Sequence, residues 1–196
     1  MFLSIKAKEE TDRIVGFIKK TLQDQQSSQV VIGISGGIDS TICLYLLIKA
    51  ISQHNIHIAH LPYFEDSYKR DIASILKKIE IPQKNLHVIP IKPIVEQIIT
   101  ALKVEGSGQE KVRAGNIAAR IRMILLYDFA KKYQALVCGT ENKSEYCLSY
   151  FTRFGDEAAD FEPIRHLYKT QVYQLAHYLK VPDQIIKKTP TAGLWQ

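Results

Sequence analysis

Apolar residues recur along the chain in two patterns, and their alternation sets the expected fold. Between residues 5 and 24, Ile14, Phe17, Ile18 and Leu22 fall on one stripe, which predicts an amphipathic helix. Val30 to Ile34 is a short β-branched run and predicts a buried strand. Thr41 to Ile51 is strongly apolar and long enough for a helix. "IHIAHLPYF" (56–64) predicts a second strand that ends at Pro62, and residues 68–79 a helix with Ile72, Ile75, Leu76 and Ile79 in phase. "LHVIPI" (86–91) is a third strand, 93–102 a short helix, "NIAARIRMILLYDFAKKY" (116–133) a long helix and "ALVCG" (135–139) a fourth strand. "TQVYQLAHYL" (170–179) is the last predicted helix. Between these lie two polar stretches. "KVEGSGQEKVRAG" (103–115) reads as a mobile loop or lid, and a second polar segment runs from Thr140 to Glu162.

Strands alternate with helices, and the strands are continuous apolar runs. That is the pattern of a parallel sheet covered on both faces. The expected fold class is α/β, an open doubly wound parallel sheet, with residues 1–196 forming one domain. In such sheets ligands bind beyond the carboxyl ends of the strands. "SGGIDS" follows the first strand, "LPYFED" the second and "GTENKSE" the fourth, so the motifs agree with that placement.

Composition narrows the function classes only a little. The 196 residues are 46% hydrophobic and 23% charged, which suits one globular domain. The formal net charge of +6 suits a small polyanion such as a nucleotide as well as nucleic acid. Lys19-Lys20, Lys77-Lys78, Lys131-Lys132 and Lys187-Lys188 sit late in predicted helices, where cations face solvent and complement the dipole, so no nucleic-acid surface is expected. Cys43, Cys138 and Cys147 lack metal or disulfide spacing, and Cys43 and Cys138 lie in apolar runs as small core residues. No leader pattern opens the chain and no apolar run reaches membrane-spanning length, so a cytoplasmic location without a membrane partner is expected.

The candidate chemistry begins at "VVIGISGGIDSTICLYLLIKA" (30–50), a strand, a glycine turn and a helix. Gly36 and Gly37 let the backbone approach a ligand closely. Successive N–H groups in such a turn form an anion nest, and a helix N-terminus adds partial positive charge. Ser35 and Ser40 can donate to phosphate oxygens. No GxxxxGK[ST] or GxGxxG is present. Asp39 would repel a phosphate unless a cation lay between them, and Mg²⁺ bridging the two is the economical reading. The plain alternative is that Asp39 or Ser40 caps the helix.

The loop resembles the SGGxDS signature of the N-type ATP pyrophosphatases, which split ATP between the α and β phosphates and transfer AMP to an acceptor. Within that superfamily, "GNIAARIRMILLYDFAKKY", "LVCGTENKSEY", "FTRFGDEAADFEPIRHLYKTQVYQLA" and "KTPTAGLW", in order from residue 115 onward, resemble the NAD⁺ synthetases. The resemblance implies an adenine nucleotide alpha hydrolase-like fold and an ammonia-dependent ligase. It implies ATP contacts at Gly33, Ile34, Ser35, Gly36, Gly37, Ile38, Asp39, Ser40, Thr140, Lys169 and Thr191. It implies Mg²⁺ ligands at Asp39 and Glu145, and contacts to deamido-NAD at Arg120, Arg153 and Asp160. Arg153 stands where the family usually has Lys, a point charge where this chain has a planar fork. Arg122 is two residues from Arg120, roughly 200° around the helix axis, so it is expected to be structural. His166 is expected to be a surface or hydrogen-bonded histidine.

The mechanism implied is adenylation of the nicotinate carboxylate of deamido-NAD by ATP, with loss of pyrophosphate, then displacement of AMP by ammonia. The partners implied are deamido-NAD, ammonia, a second copy in a homodimer and, because no glutamine-hydrolysing domain is expected, possible supply of ammonia by a separate chain. The family's usual segment after "PTAGLW" is not in these 196 residues. Another adenylating enzyme of the superfamily and a non-catalytic ATP-binding module are the alternatives.

Overall fold

A computed structural model describes residues 4–64, 69–77, 79–105 and 107–189. The elements in order are α1 (Ala7–Asp24), β1 (Gln29–Gly33), α2 (Ile38–Ala50), β2 (Ile56–His60), α3 (Lys69–Leu76), β3 (Leu86–Val88), α4 (Lys92–Ala101), α5 (Gln109–Tyr133), β4 (Ala135–Cys138), α6 (Lys143–Cys147), α7 (Lys169–Tyr178) and α8 (Asp183–Ile186). The sheet runs β3-β2-β1-β4. Every pairing is parallel, with Val30 opposite Ile56 and Leu136. The expected α/β class and doubly wound arrangement are therefore what the chain adopts.

Successive strand residues serve opposite faces. Val30 and Ile32 pack with Ile18 of α1, Ile42, Leu46 and Leu47 of α2, and Val172 of α7. Val31 and Val137 pack with Val95 of α4 and with Ile121 and Phe129 of α5. A two-sided core explains why the strands read as unbroken apolar runs. Helix α2 is buried nearly all round, among the sheet, α1 and α7. This is the expected setting for a helix without a polar face. Cys43 and Cys138 are buried, and burial pushes the Cys43 thiol well up, so it acts as an apolar filler.

Strands β2 and β3 end at His60 and Val88, earlier than the sequence expectation, α8 is an addition, and two helix boundaries near the candidate site also differ. Helix α2 begins at Ile38, so Asp39 and Ser40 lie in its first turn and not in the preceding loop. The stretch 103–115 is a loop only in part, because α5 begins at Gln109. Gly108, at φ 55°, supplies the N-cap, and Glu110 pairs with Arg113 at 3.1 Å one turn on. A charged i,i+3 pair on a solvent face supports a helix that the lack of apolar periodicity concealed. Helix α6, within the predicted polar segment, is likewise an addition.

Strand order also locates the ligand crevice. From β1 the chain builds β2 and β3 to one side, then returns through α4 and α5 to lay β4 on the other. The carboxyl ends of β1 and β4 therefore flank the topological switch point, where open α/β sheets take their ligands.

Candidate active site

The turn after β1 is glycine and hydroxyl chemistry held by its own short-range bonds. Gly36 takes φ 79°, a left-handed conformation that favours glycine. Ser35 and Ser40 share a hydrogen bond at 3.2 Å, and the Gly37 N–H donates to Ser35 Oγ at 3.2 Å. Thr41 Oγ1 donates to the Gly37 carbonyl at 2.7 Å. Gly37 is the N-cap of α2 and no side chain caps the helix, so neither Asp39 nor Ser40 plays that part. Ile38, Gly36 and Ser40 are buried and Ser35 is exposed, so the turn presents the Ser35 side to solvent.

The turn after β4 brings the charged groups. Gly139 is buried there. A Cβ on it would lie 2.7 Å from both Ala159 Cβ and Glu162 Cγ, so the neighbouring 159–162 segment needs a glycine. Asn142, 0% exposed, donates from Nδ2 to Asp39 Oδ1 at 3.0 Å. Its Oδ1 accepts from the Ser144 and Glu145 amides at 2.9 and 3.1 Å, and its own N–H donates to Glu145 Oε2 at 3.2 Å. This is a capping box that starts α6. Lys169, first residue of α7, contacts Asp39 Oδ2 through Nζ, and its N–H donates to Ser144 Oγ at 3.0 Å. Burial raises the Glu145 carboxyl above the usual range, and the charge of Asp39 raises it further. Each effect disfavours a second anion in the absence of a cation.

Beside these groups Arg165 Nη1 donates to Glu141 Oε2 at 2.5 Å and to Glu162 Oε2 at 2.6 Å, with its guanidinium 4.2 Å from the Tyr146 ring centre. Glu141 is 7% exposed, and burial pushes its carboxyl up to about 7 against the pull of Arg165. No cluster of three or more His, Cys, Asp or Glu is placed to hold a metal among the described residues. Two carboxylates are nonetheless the donor set that Mg²⁺ uses when phosphates and water complete its shell. Asp39 and Glu145, tied through Asn142, fit that pattern.

The remaining expected site residues fall in several places, and of them Asp160 and Thr140 lie at β4 or just after it. Arg120 donates from Nε and Nη2 to the Arg153 carbonyl, both at 3.3 Å. The Arg153 guanidinium lies 4.8 Å from the Phe154 ring centre. Asp160 Oδ2 accepts from the Val137 N–H at 2.7 Å, which anchors it on the strand. Thr140 sits between Gly139 and Glu141, and Gly33 and Ile34 lead β1 into its turn. Thr191 lies outside the described residues. Arg122 donates to the Leu61 carbonyl at 3.1 Å, and His166 Nε2 meets Glu10 Oε1 at 2.6 Å. Sequence reasoning gave no role to Asn142, Ser144, Glu141, Glu162 or Arg165. The N-x-x-E spacing of Asn142 and Glu145 was the available signal for a cap. The Arg165 cluster leaves little, because Glu162 is only three residues away but Glu141 meets Arg165 only in the fold.

The comparisons with known proteins place the chain in a family. The model of the family described as NAD synthase matches residues 10–196. The chain is 43% identical over 185 residues to an NH(3)-dependent NAD(+) synthetase of Thermococcus kodakarensis, covering 94% of this chain and 70% of that one. Among solved structures, an NH3-dependent NAD synthetase from Campylobacter jejuni superposes with TM-score 0.85 at 34% identity, covering 96% of this chain and 80% of that one. An NMN synthetase from Francisella tularensis gives TM-score 0.86 at 34% identity, covering 98% and 79%.

Proposed function

The chain belongs to the NAD synthase family, and from that premise we propose the reaction and the part each side chain plays in it. The protein is a carbon–nitrogen ligase. It amidates deamido-NAD to NAD⁺ with ammonia at the expense of ATP, releasing AMP and pyrophosphate. The observation that carries the division of roles is the meeting of Asp39, Asn142, Glu145 and Lys169 between the ends of β1 and β4.

A carboxylate is a poor electrophile, so the nicotinate carboxylate first attacks the α-phosphorus of ATP and expels pyrophosphate. Ammonia then displaces AMP. The residues from Gly33 to Ser40 would cradle the phosphates, with Thr140 and Thr191 on the nucleotide. Lys169 would add positive charge where the departing pyrophosphate gathers negative charge. Asp39 and Glu145 would hold Mg²⁺, which supplies Lewis-acid neutralisation of that charge. Arg120 and Arg153, joined side chain to backbone, would bind deamido-NAD. Asp160 would accept a hydrogen bond from a ribose hydroxyl or pyridine substituent while β4 holds it still. Catalysis is then positioning and charge compensation, with no covalent nucleophile.

A homodimer, a cytoplasmic location and ammonia drawn from solution or from a separate chain complete the proposal. Among the described residues no helix is long and apolar enough to cross a membrane. The test is incubation of the purified protein with ATP, Mg²⁺, ammonium and deamido-NAD, with the mononucleotide acid as competing acceptor. Equal AMP and NAD⁺ are expected. ATP binding without turnover, or amidation of the mononucleotide alone, would overturn the reading.

A further inference from the structure

We propose that Asn142 is the positioning residue that aims the Asp39 and Glu145 carboxylates at a common cation. The inference rests on the reading of those two acids as Mg²⁺ ligands. Asn142 is the one side chain hydrogen-bonded to Asp39 that is wholly buried, at 0% exposure. The other partner of Asp39 among the described residues is Lys169, whose side chain is 26% exposed on a flexible stem. Asp39 thus has one oxygen on a fixed donor and one on a movable donor. A cation can take the place of Lys169 at Oδ2 without disturbing Oδ1. Glu145 is arranged alike, with Oε2 held by the Asn142 N–H and no hydrogen bond to Oε1 among the described residues.

An amide is suited to this work at residue 142. Its Oδ1 must accept from α6, and its Nδ2 must donate to Asp39, so the side chain needs both functions at once. Aspartate would cap α6 but repel Asp39. Serine or threonine would cap α6 but lacks the reach to donate to Asp39 while doing so. A buried amide is also costly to leave unpaired, so Asn142 and Asp39 hold one another in register. The two proposed metal ligands come from different helices, α2 and α6, and Asn142, 103 residues from Asp39 in sequence, touches both.

The test uses Asn142→Ser and Asn142→Thr, both of which keep an N-cap oxygen for α6. Mn²⁺ binding is followed by electron paramagnetic resonance with the non-cleavable α,β-methylene analogue of ATP bound. The expected result is roughly tenfold weaker Mn²⁺ binding in the variant that folds, with Tm and analogue affinity in EDTA near those of the parent. Unchanged Mn²⁺ affinity, or a loss of Mn²⁺ affinity matched by loss of Tm and of metal-free analogue binding, would overturn the proposal. Asp39→Asn in parallel separates it from its premise. If Asp39→Asn leaves Mn²⁺ binding intact, the metal site itself is wrong. If Asp39→Asn weakens binding and the Asn142 variants do not, only the positioning role falls.

Discussion

The turn after β1 and the turn after β4 face one another across the switch point, yet they are held by different means. The first is stabilised by bonds among Ser35, Gly37, Ser40 and Thr41, none of which spans more than five residues. The second depends on partners far along the chain: Asn142 to Asp39, Ser144 to Lys169, and Glu141 to Arg165. A neutral hydroxyl turn needs no counter-charge to form. A turn with two partly buried glutamates does, and this one recruits a guanidinium and an ammonium for the purpose. The difference teaches that the shape of the glycine turn is a local property, whereas charge compensation is a property of the assembled sheet.

That contrast can be broken in order of effect. Asp39→Asn should reduce kcat by about 100-fold or more by weakening cation binding and charge stabilisation, while circular dichroism stays near that of the parent. A steady-state assay of AMP release checks it, and undiminished turnover would remove Asp39 from the machinery. Gly139→Ala should cost about 1–3 kcal/mol, because its Cβ would overlap Ala159 and Glu162. Thermal unfolding should show a Tm lower by roughly 2–12 °C, given about 2–4 °C per kcal/mol for a chain of this size.

Glu141→Gln sharpens the comparison through pH. The folded carboxyl stands at about 7 against an ordinary 4.5. Its stabilising contribution is therefore complete below 4.5 and lost as pH rises through about 7. The variant should lose that slope and gain about 1–3 kcal/mol over the parent at pH 8, read from urea unfolding at pH 5 and pH 8. His57, His60 and His87, lowered by burial, act in the opposite sense and lose stability as pH falls below the ordinary 6.5. Because they are present in both proteins, the difference between parent and variant isolates Glu141. Gly37→Ala is the mildest. Its Cβ would meet only Ser35 Oγ at 3.2 Å, so a cost under about 1 kcal/mol is expected, with weaker ATP binding by calorimetry as the clearer effect.

Legibility in sequence followed the same division. The strands, their parallel order and the glycine turn were readable because each is written in adjacent residues: β-branched runs, a Gly-Gly pair, an apolar helix. Asp39 was recognised from its neighbours but placed in the loop, since Gly37 gave no side-chain cap to mark the start of α2. The start of α5 was missed because ion pairing, not apolar period, supports its first turns. Asn142 and Arg165 went without roles because their partners are 103, 24 and 3 residues away. Only the last of those distances is local, and an exposed i,i+3 pair would read the same way.

The Asp39 contacts carry a consequence for how the molecule comes into being. Asp39 meets Asn142 across 103 residues and Lys169 across 130. Closing loops of that size must precede any reward from the contacts themselves. On a ribosome, the β1 turn emerges early and can make its own short-range bonds at once. Its acid gains its partners only when the last strand of the sheet and the helix beyond have emerged, so the Asp39 contacts report that the central sheet has been assembled.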